Sequence, residues 1–327
     1  MSVKKILLVG SNGLLGQKMA ELLLRGSPHL VILSSVEERP VVQLQSVEYT
    51  RIDITSRKEV RQAVATLEPE VIVNCAAMTN VDVCEKEREL AWKINVTGVE
   101  NLAEAVRIHG GTIIHISTDY VFDGRSGPYT EEDRPNPLSY YGKSKLASEN
   151  ALRVSGASFL IARTMVLYGY ASAVKPNFVL WLIQSLEKGT SVRIVDDQIG
   201  NPTFADDLAY GLLRGIELGR TGIFNIAGRE IVSRYDFALR AAKVFGLDTS
   251  LITPIKTSKL QQPAPRPLKS GLVTLKAEVE LGYKPLSIEE SLAVLKMQLS
   301  RTARRVGDST PVPGQPPARQ SGKGTKT

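Results

Sequence analysis

The sequence predicts an α/β fold: a doubly wound parallel sheet followed by a smaller C-terminal lobe. Three observations carry this. Short Val/Ile/Leu-rich runs alternate with helix-length amphipathic segments through the first half of the chain. The runs are continuously apolar instead of alternating apolar with polar, the pattern of strands covered by helices on both faces. The first run also stops at a cluster of glycines with a helical pattern directly behind it, as a tight strand-to-helix turn requires.

Strands are expected at residues 4–10, 30–34, 47–52, 71–75, 112–117 and 158–163, so the sheet has at least six. Helices are expected at 14–25, near 56–67, near 89–109 and at about 138–154. After about residue 176 the rhythm loosens into Pro-interrupted loops and separate helices around 177–188, 204–218, 233–245 and 288–299. Residues 1–175 are therefore read as the main domain and 176–300 as the smaller lobe, with the apolar run at 222–226 free to return to the main sheet. Residues 301–327 read as a basic tail, Pro-, Gly- and Ser-rich from Pro311 onward and too polar to offset the entropy of ordering.

Composition excludes several classes. A chain of 327 residues with 43% hydrophobic side chains buries a core without staples. No apolar run approaches the roughly 18 residues of a membrane span, and Ile6–Val9 is too short for a signal sequence, so a cytoplasmic protein without membrane contact is expected. Two cysteines and three scattered histidines show neither metal-ligand spacing nor a disulfide framework. The formal charge of +7 resembles a nucleic-acid signature until it is located. Six basic residues against Asp308 put +5 in the last 27 residues, leaving only +2 on the body, so no nucleic-acid partner is expected.

The glycine cluster is Gly10-Ser11-Asn12-Gly13-Leu14-Leu15-Gly16. Glycine allows the tight turn and close backbone approach, and the following helix N-terminus supplies oriented N–H groups, which together suit a dinucleotide diphosphate. The fold is then Rossmann-like. An NAD site usually places an acid about 20 residues on, at the end of the second strand, but Ser34 and Ser35 stand there, with Glu37, Glu38 and Arg39 slightly late. A 2′-phosphate meets less repulsion, so NADP(H) is expected, with NAD(H) also accepted. Asp53 is placed either to accept from an adenine amino group or to cap the helix near residue 56.

Tyr141 and Lys145 are four apart and share one helix face, behind a strand that ends in Ser117-Thr118-Asp119-Tyr120. An ammonium near the phenol favours phenolate, making tyrosine a usable acid/base near neutral pH. The Thr118 hydroxyl can hold a carbonyl oxygen.

These segments resemble the extended short-chain dehydrogenases/reductases, and among them the dTDP-4-dehydrorhamnose reductase family, over residues 1 to about 300. The matching stretches are GSNGLLG, NCAAMTNVDVCEKE, KINVTG, STDYVFDG, YTEEDRPNPLSYYGKSKLASE, IVDDQIGNPTFADDLA and the late PRP at 265–267. The resemblance implies that Thr118, Tyr141 and Lys145 form the catalytic group, with Asn95 supporting a water and the lysine. It implies that Ile54, Ala76, Ala77, Met78 and Thr79 join Gly10, Asn12, Gly13, Leu14, Leu15, Gly16, Ser34 and Asp53 along the cofactor, with Tyr141 and Lys145. Thr118, Asp119, Val166 and Asn177 would face a nucleotide-sugar, anchored in the smaller, substrate-binding lobe, and a homodimer is allowed for. Val166 departs from the family, which usually has tryptophan there. The implied reaction is NAD(P)H-dependent reduction of a nucleotide-linked 4-keto-6-deoxysugar. Alternatives on the same fold are a sugar-nucleotide epimerase or dehydratase, and a non-catalytic NADP-binding subunit like the regulatory subunit of methionine adenosyltransferase. A dehydratase usually carries Asp-Glu after the threonine, where this chain has Asp119-Tyr120.

Overall fold

The first strand, β1 (Lys5–Val9), carries apolar side chains at four successive positions, and the two-residue period of a strand sends them to opposite faces. Ile6 and Leu8 enter one core while Leu7 and Val9 enter another, so the sheet has to be covered on both sides. The computed structural model describes residues 2–41 and 47–307. Six further strands extend the sheet: β2 (Leu30–Ser35), β3 (Glu48–Arg51), β4 (Val71–Asn74), β5 (Thr112–Thr118), β6 (Ser158–Thr164) and β7 (Gly222–Asn225). Their order is β7-β6-β5-β4-β1-β2-β3, and every pairing is parallel. The run at 222–226 thus does return, pairing with β6 through registers such as Phe224 with Ala162. The chain reverses its winding between β1 and β4, and ligands of doubly wound sheets bind outside the strand ends at that crevice.

One face is covered by α1 (Leu14–Gly26), α8 (Ala205–Glu217) and α10 (Leu275–Leu281), whose Met19, Leu23, Leu208, Leu212 and Leu281 are all fully buried. The other is covered by α2 (Arg57–Leu67), α5 (Gly98–His109) and α6 (Tyr140–Val154), through Val60, Val64, Leu102, Val106 and Leu152. At about 1.5–3 kcal/mol for each large aliphatic side chain removed from water, these two layers are the main source of stability. Between β4 and α5 lie α3 (Val81–Lys86), α4 (Arg88–Trp92) and a wide π turn, Lys93–Thr97. The single helix expected near 89–109 is therefore interrupted, and the interruption contains Asn95.

A third core lies apart from the two helix layers of the sheet. It joins α7 (Phe178–Glu187), α9 (Arg234–Phe245) and α11 (Ile288–Gly307) around Tyr168, Leu182, Phe237 and Leu292. The helix α11 runs on to Gly307, past the boundary expected at residue 300; the remainder of the basic tail, residues 308–327, lies outside the described residues. No helix among the described residues is long and apolar enough to cross a membrane.

Candidate active site

The glycine-rich turn is built as a cradle. Gly10 has φ of +77°, and a side chain there would meet the Ala76 amide nitrogen at 2.6 Å. At Gly16 a methyl group would run into the Gly10 carbonyl, so α1 can approach β1 this closely only with glycine. Gly13 caps α1 with no side-chain hydrogen bond, and the first helical turn holds no acidic residue. The N–H groups there remain available to an anion.

Directly outside this turn is a cavity of about 800 Å³, lined by Gly10, Asn12, Gly13, Asp53, Ile54, Ala76 and Ala77. The cradle, the helix N-terminus and the volume together suit a dinucleotide. Other expected cofactor residues are placed differently. Leu15 packs its side chain into the core, so it can face a ligand only through its backbone N–H, while Leu14 is half-buried and does not line the cavity. Met78 lies against Tyr141, and Thr79 is exposed next to Asn80, the cap of α3; neither lines the cavity. Asp53 is not the helix cap, since Ser56 caps α2; its carboxylate accepts from the backbone and hydroxyl of Thr55 at 2.9 and 2.8 Å.

Ser34 requires a correction. It is fully buried, its hydroxyl has no partner among the described residues, and it does not reach the cavity. The strand's two-residue alternation turns Ser34 under the sheet, leaving Ser35, Val36 and Glu37 to line the cavity. The Glu37 carboxylate accepts from the Ser35 hydroxyl and from the Asn12 amide, and these bonds hold it below the usual carboxylate range. Asn12 in turn takes the Val41 N–H at 2.9 Å, stapling the loop after β2 to the glycine turn. A fixed carboxylate on the cavity wall would repel a 2′-phosphate bound beside it. Glu37→Gln should therefore raise the NADPH-to-NADH ratio of kcat/KM by roughly tenfold, the scale of one charge repulsion removed; steady-state kinetics with both cofactors would read it, and an unchanged ratio would remove Glu37 from cofactor selection.

The Tyr–Lys pair sits on the first two turns of α6, which Ser139 caps by accepting from the Gly142 N–H. Tyr141 and Lys145 are both buried. Tyr141 packs edge-on against Tyr120, ring centres 5.6 Å apart. Burial pushes its phenol well above the ordinary value, with the Thr118 hydroxyl working in the opposite direction. Burial thus disfavours the expected phenolate, and the Lys145 amine is not bonded to the phenol: its Nζ lies 3.0 Å from Nε2 of His115. Burial lowers Lys145 to about 8.

Asn95 uses its carbonyl to take the Met78 N–H at 2.8 Å, and its amide to bond the Met78 carbonyl at 3.0 Å and Ser144 Oγ at 3.1 Å. The π turn points it at the loop after β4 and at α6 simultaneously, so it positions both.

Behind Tyr120, whose ring packs on Tyr141, is a narrow cavity of about 30 Å³, lined by Asp119, Tyr120, Val166, Arg234 and Ser270. It has room for about one water, and Met165 and residues 198–200 complete its wall. Thr118 donates to Asp119 at 3.1 Å, and Ser270 donates to it at 2.7 Å, yet burial dominates and raises Asp119 to about 6. Val166 has φ of +47°, rare for a β-branched side chain, and so projects into this cavity from a strained backbone. Asn177 does not line it. Its amide caps α7, accepting from Leu180 and donating to the Gly169 carbonyl at 2.7 Å.

Arg234 was missed in the sequence, where one arginine in a late helix carries no motif. It opens α9, stacks its guanidinium over Phe178 at 5.0 Å, and lines the narrow cavity. Burial lowers its pKa, Tyr120 and Asp119 counteract, and among the described residues no carboxylate forms an ion pair with it.

A sheet of this order, a glycine cradle at its switch point, and a Tyr–Lys pair beside a threonine define an NAD(P)-dependent oxidoreductase of the extended short-chain dehydrogenase/reductase type. Comparison with known proteins narrows this class. The chain belongs to the RmlD substrate binding domain family, whose model matches residues 4–300. It is 34% identical over 302 residues to a dTDP-4-dehydrorhamnose reductase of Aggregatibacter actinomycetemcomitans, covering 88% of this chain and 97% of that protein. A crystal structure of a dTDP-4-dehydrorhamnose reductase from Clostridium acetobutylicum superposes with a TM-score of 0.82 at 37% identity, covering 90% of this chain and 99% of that one. Another from Bacillus anthracis, in complex with NADP, gives 0.78 at 29% identity, covering 91% and 100%.

Proposed function

We propose that the protein reduces a nucleotide-linked 4-keto-6-deoxysugar, taking dTDP-4-dehydro-L-rhamnose to dTDP-L-rhamnose with NADP(H), and with NAD(H) as a second cofactor. The observation that carries this is the pairing of a buried, protonated Tyr141 with a cavity whose anion-ready residue is Arg234. The bound cofactor supplies hydride. Tyr141 donates a proton to the developing alkoxide, Thr118 Oγ1 orients the carbonyl oxygen by turning to it the proton it gives Asp119 in the free protein, and Asn95 fixes the loop and helix that carry these groups. Leu14, Leu15 and Gly16 present helix N–H groups to the cofactor diphosphate, while Arg234 meets the diphosphate of the sugar nucleotide. Asp119 is followed by Tyr120, whose ring packs on Tyr141 where a dehydratase would need a second acid; this favours simple reduction. As part of the same proposal, the enzyme works in the cytoplasm.

The test is oxidation of NADPH by purified protein with dTDP-4-dehydro-L-rhamnose, followed by product identification. Robust turnover to the rhamnose supports the reading; tight NADPH binding without oxidation would replace it with a binding role. Within the same assay, Arg234→Gln should raise KM for the nucleotide-sugar by roughly a hundredfold, the scale of a charge-assisted contact to phosphate, while leaving NADPH affinity unchanged. An unaltered KM would show that the diphosphate binds elsewhere.

A further inference from the structure

We propose that His115 is a positioning residue for the reaction, fixing from beneath the catalytic helix which hydrogen-bonding state the Lys145 amine adopts. The inference rests on the reductase reading above. His115 is the sole polar side chain among Ile113, Ile114 and Ile116 in the middle of β5 and is 1% exposed, so a histidine there has to be explained by its partners.

Those partners form a chain with a direction. The Ala76 N–H donates to Asn74 Oδ1 at 3.1 Å, which orients the amide so that Nδ2 faces His115 Nδ1 at 3.3 Å. An amide NH₂ only donates, so Nδ1 is the acceptor and the neutral ring carries its proton on Nε2. Nε2 in turn lies 3.0 Å from Lys145 Nζ and 3.0 Å from Ser148 Oγ. The Ser148 hydroxyl gives its own proton to the Lys145 carbonyl at 2.7 Å, leaving its oxygen to accept. The imidazole therefore turns an N–H, not a lone pair, toward the lysine. That favours the amine over the ammonium and adds to what burial does to Lys145.

The other charged groups near α6 are accounted for. Glu149, one turn along the helix, is the carboxylate that favours the ammonium, but its oxygens are taken up by Arg163 of β6 at 2.7 and 3.0 Å and by Ser117 of β5 at 2.6 Å. Asp119, Tyr120 and Cys84 act at the Tyr141 end. From the π turn Asn95 offers only an amide, and Lys93 is exposed. Around α3, α4 and α5, Asp82 pairs with Arg266, Glu85 with Arg88 and Glu104 with Arg57. His115 is the one ionisable side chain within hydrogen-bond distance of the amine among the described residues. Its effect is to bring the lysine into a range where it gains and loses a proton readily near neutral pH, as restoring the Tyr141 proton between turnovers requires.

Two measurements test this. The sequence has three histidines, so ¹⁵N-histidine NMR resolves the tautomer of His115 without substrate or turnover. The expected result is a proton on Nε2, and its loss from Nε2 in Asn74→Leu, where the directing amide is gone. A proton on Nδ1 in the unaltered protein would overturn the proposal. The second is the pH profile of kcat/KM. Its alkaline limb should move up by about one pH unit in Asn74→Leu and in His115→Gln, whose amide oxygen can accept from an ammonium, with NADPH affinity retained. A uniform loss of rate with an unmoved limb in both variants would reduce His115 to a packing role. Failure of turnover in the wild type would sink the reductase reading while leaving the tautomer result to judge this one.

Discussion

Tyr141→Phe is expected to lower kcat by about 10²–10⁴-fold, the usual contribution of a positioned acid, with NAD(P)H affinity within about twofold of wild type. The hydroxyl acts on the proton transferred to substrate, whereas the ring's packing against Tyr120 and Met78 survives the change. Stopped-flow turnover and cofactor titration together check it. Retention of more than roughly a tenth of kcat would assign the proton to another group, since such a loss is too small for a general acid.

The largest effect on stability is expected at Arg163. It and Glu149 are both completely inaccessible, joined by two hydrogen bonds at 3.0 and 2.7 Å, with the guanidinium stacked 5.1 Å from the centre of the Phe122 ring. Arg163→Met leaves the carboxylate buried without its partner, at a cost of about 3–5 kcal/mol. For a chain of this size that is a fall in Tm of roughly 4–7 °C. The double variant Arg163→Met with Glu149→Leu should recover most of it, because two apolar side chains replace a pair that was costly to desolvate. Thermal unfolding of the three proteins decides the matter; equal losses in single and double variants would mean that the pair contributes through packing alone.

How much of this was legible in the sequence follows the range of each signal. Continuous apolar runs gave the inner strands because burial on both faces leaves a mark in every residue, a mark that the half-exposed edge strand β3 lacks, and the glycines gave the cradle because φ of +77° at Gly10 and the contact at Gly16 admit little else. Tyr141 and Lys145 were found by a four-residue spacing that survives in a helix. What failed was direction. Ser34 lies at the right position along β2 but on the wrong face, and Glu37, three residues on, reaches the cavity because the strand has ended. Lys145 was expected to serve the phenol, yet a histidine thirty residues upstream holds its amine, a pairing that exists only because β5 lies under α6. Arg234 and His115 carry no local pattern at all. Their roles come from what the fold brings within a few ångströms, and single residues do not record that.

The return of β7 to the sheet also bears on how the chain can be made and cut. The strand that closes one side of the sheet is supplied by residues 222–225, after α7 and α8 have already been laid down. A fragment ending at residue 175 would expose the open edge of β6, from Ser158 to Thr164, with its unpaired N–H and C=O groups next to a core stripped of Leu208, Leu212 and Phe224. Such an edge recruits other chains, so the amino-terminal piece should precipitate instead of folding as a free nucleotide-binding unit.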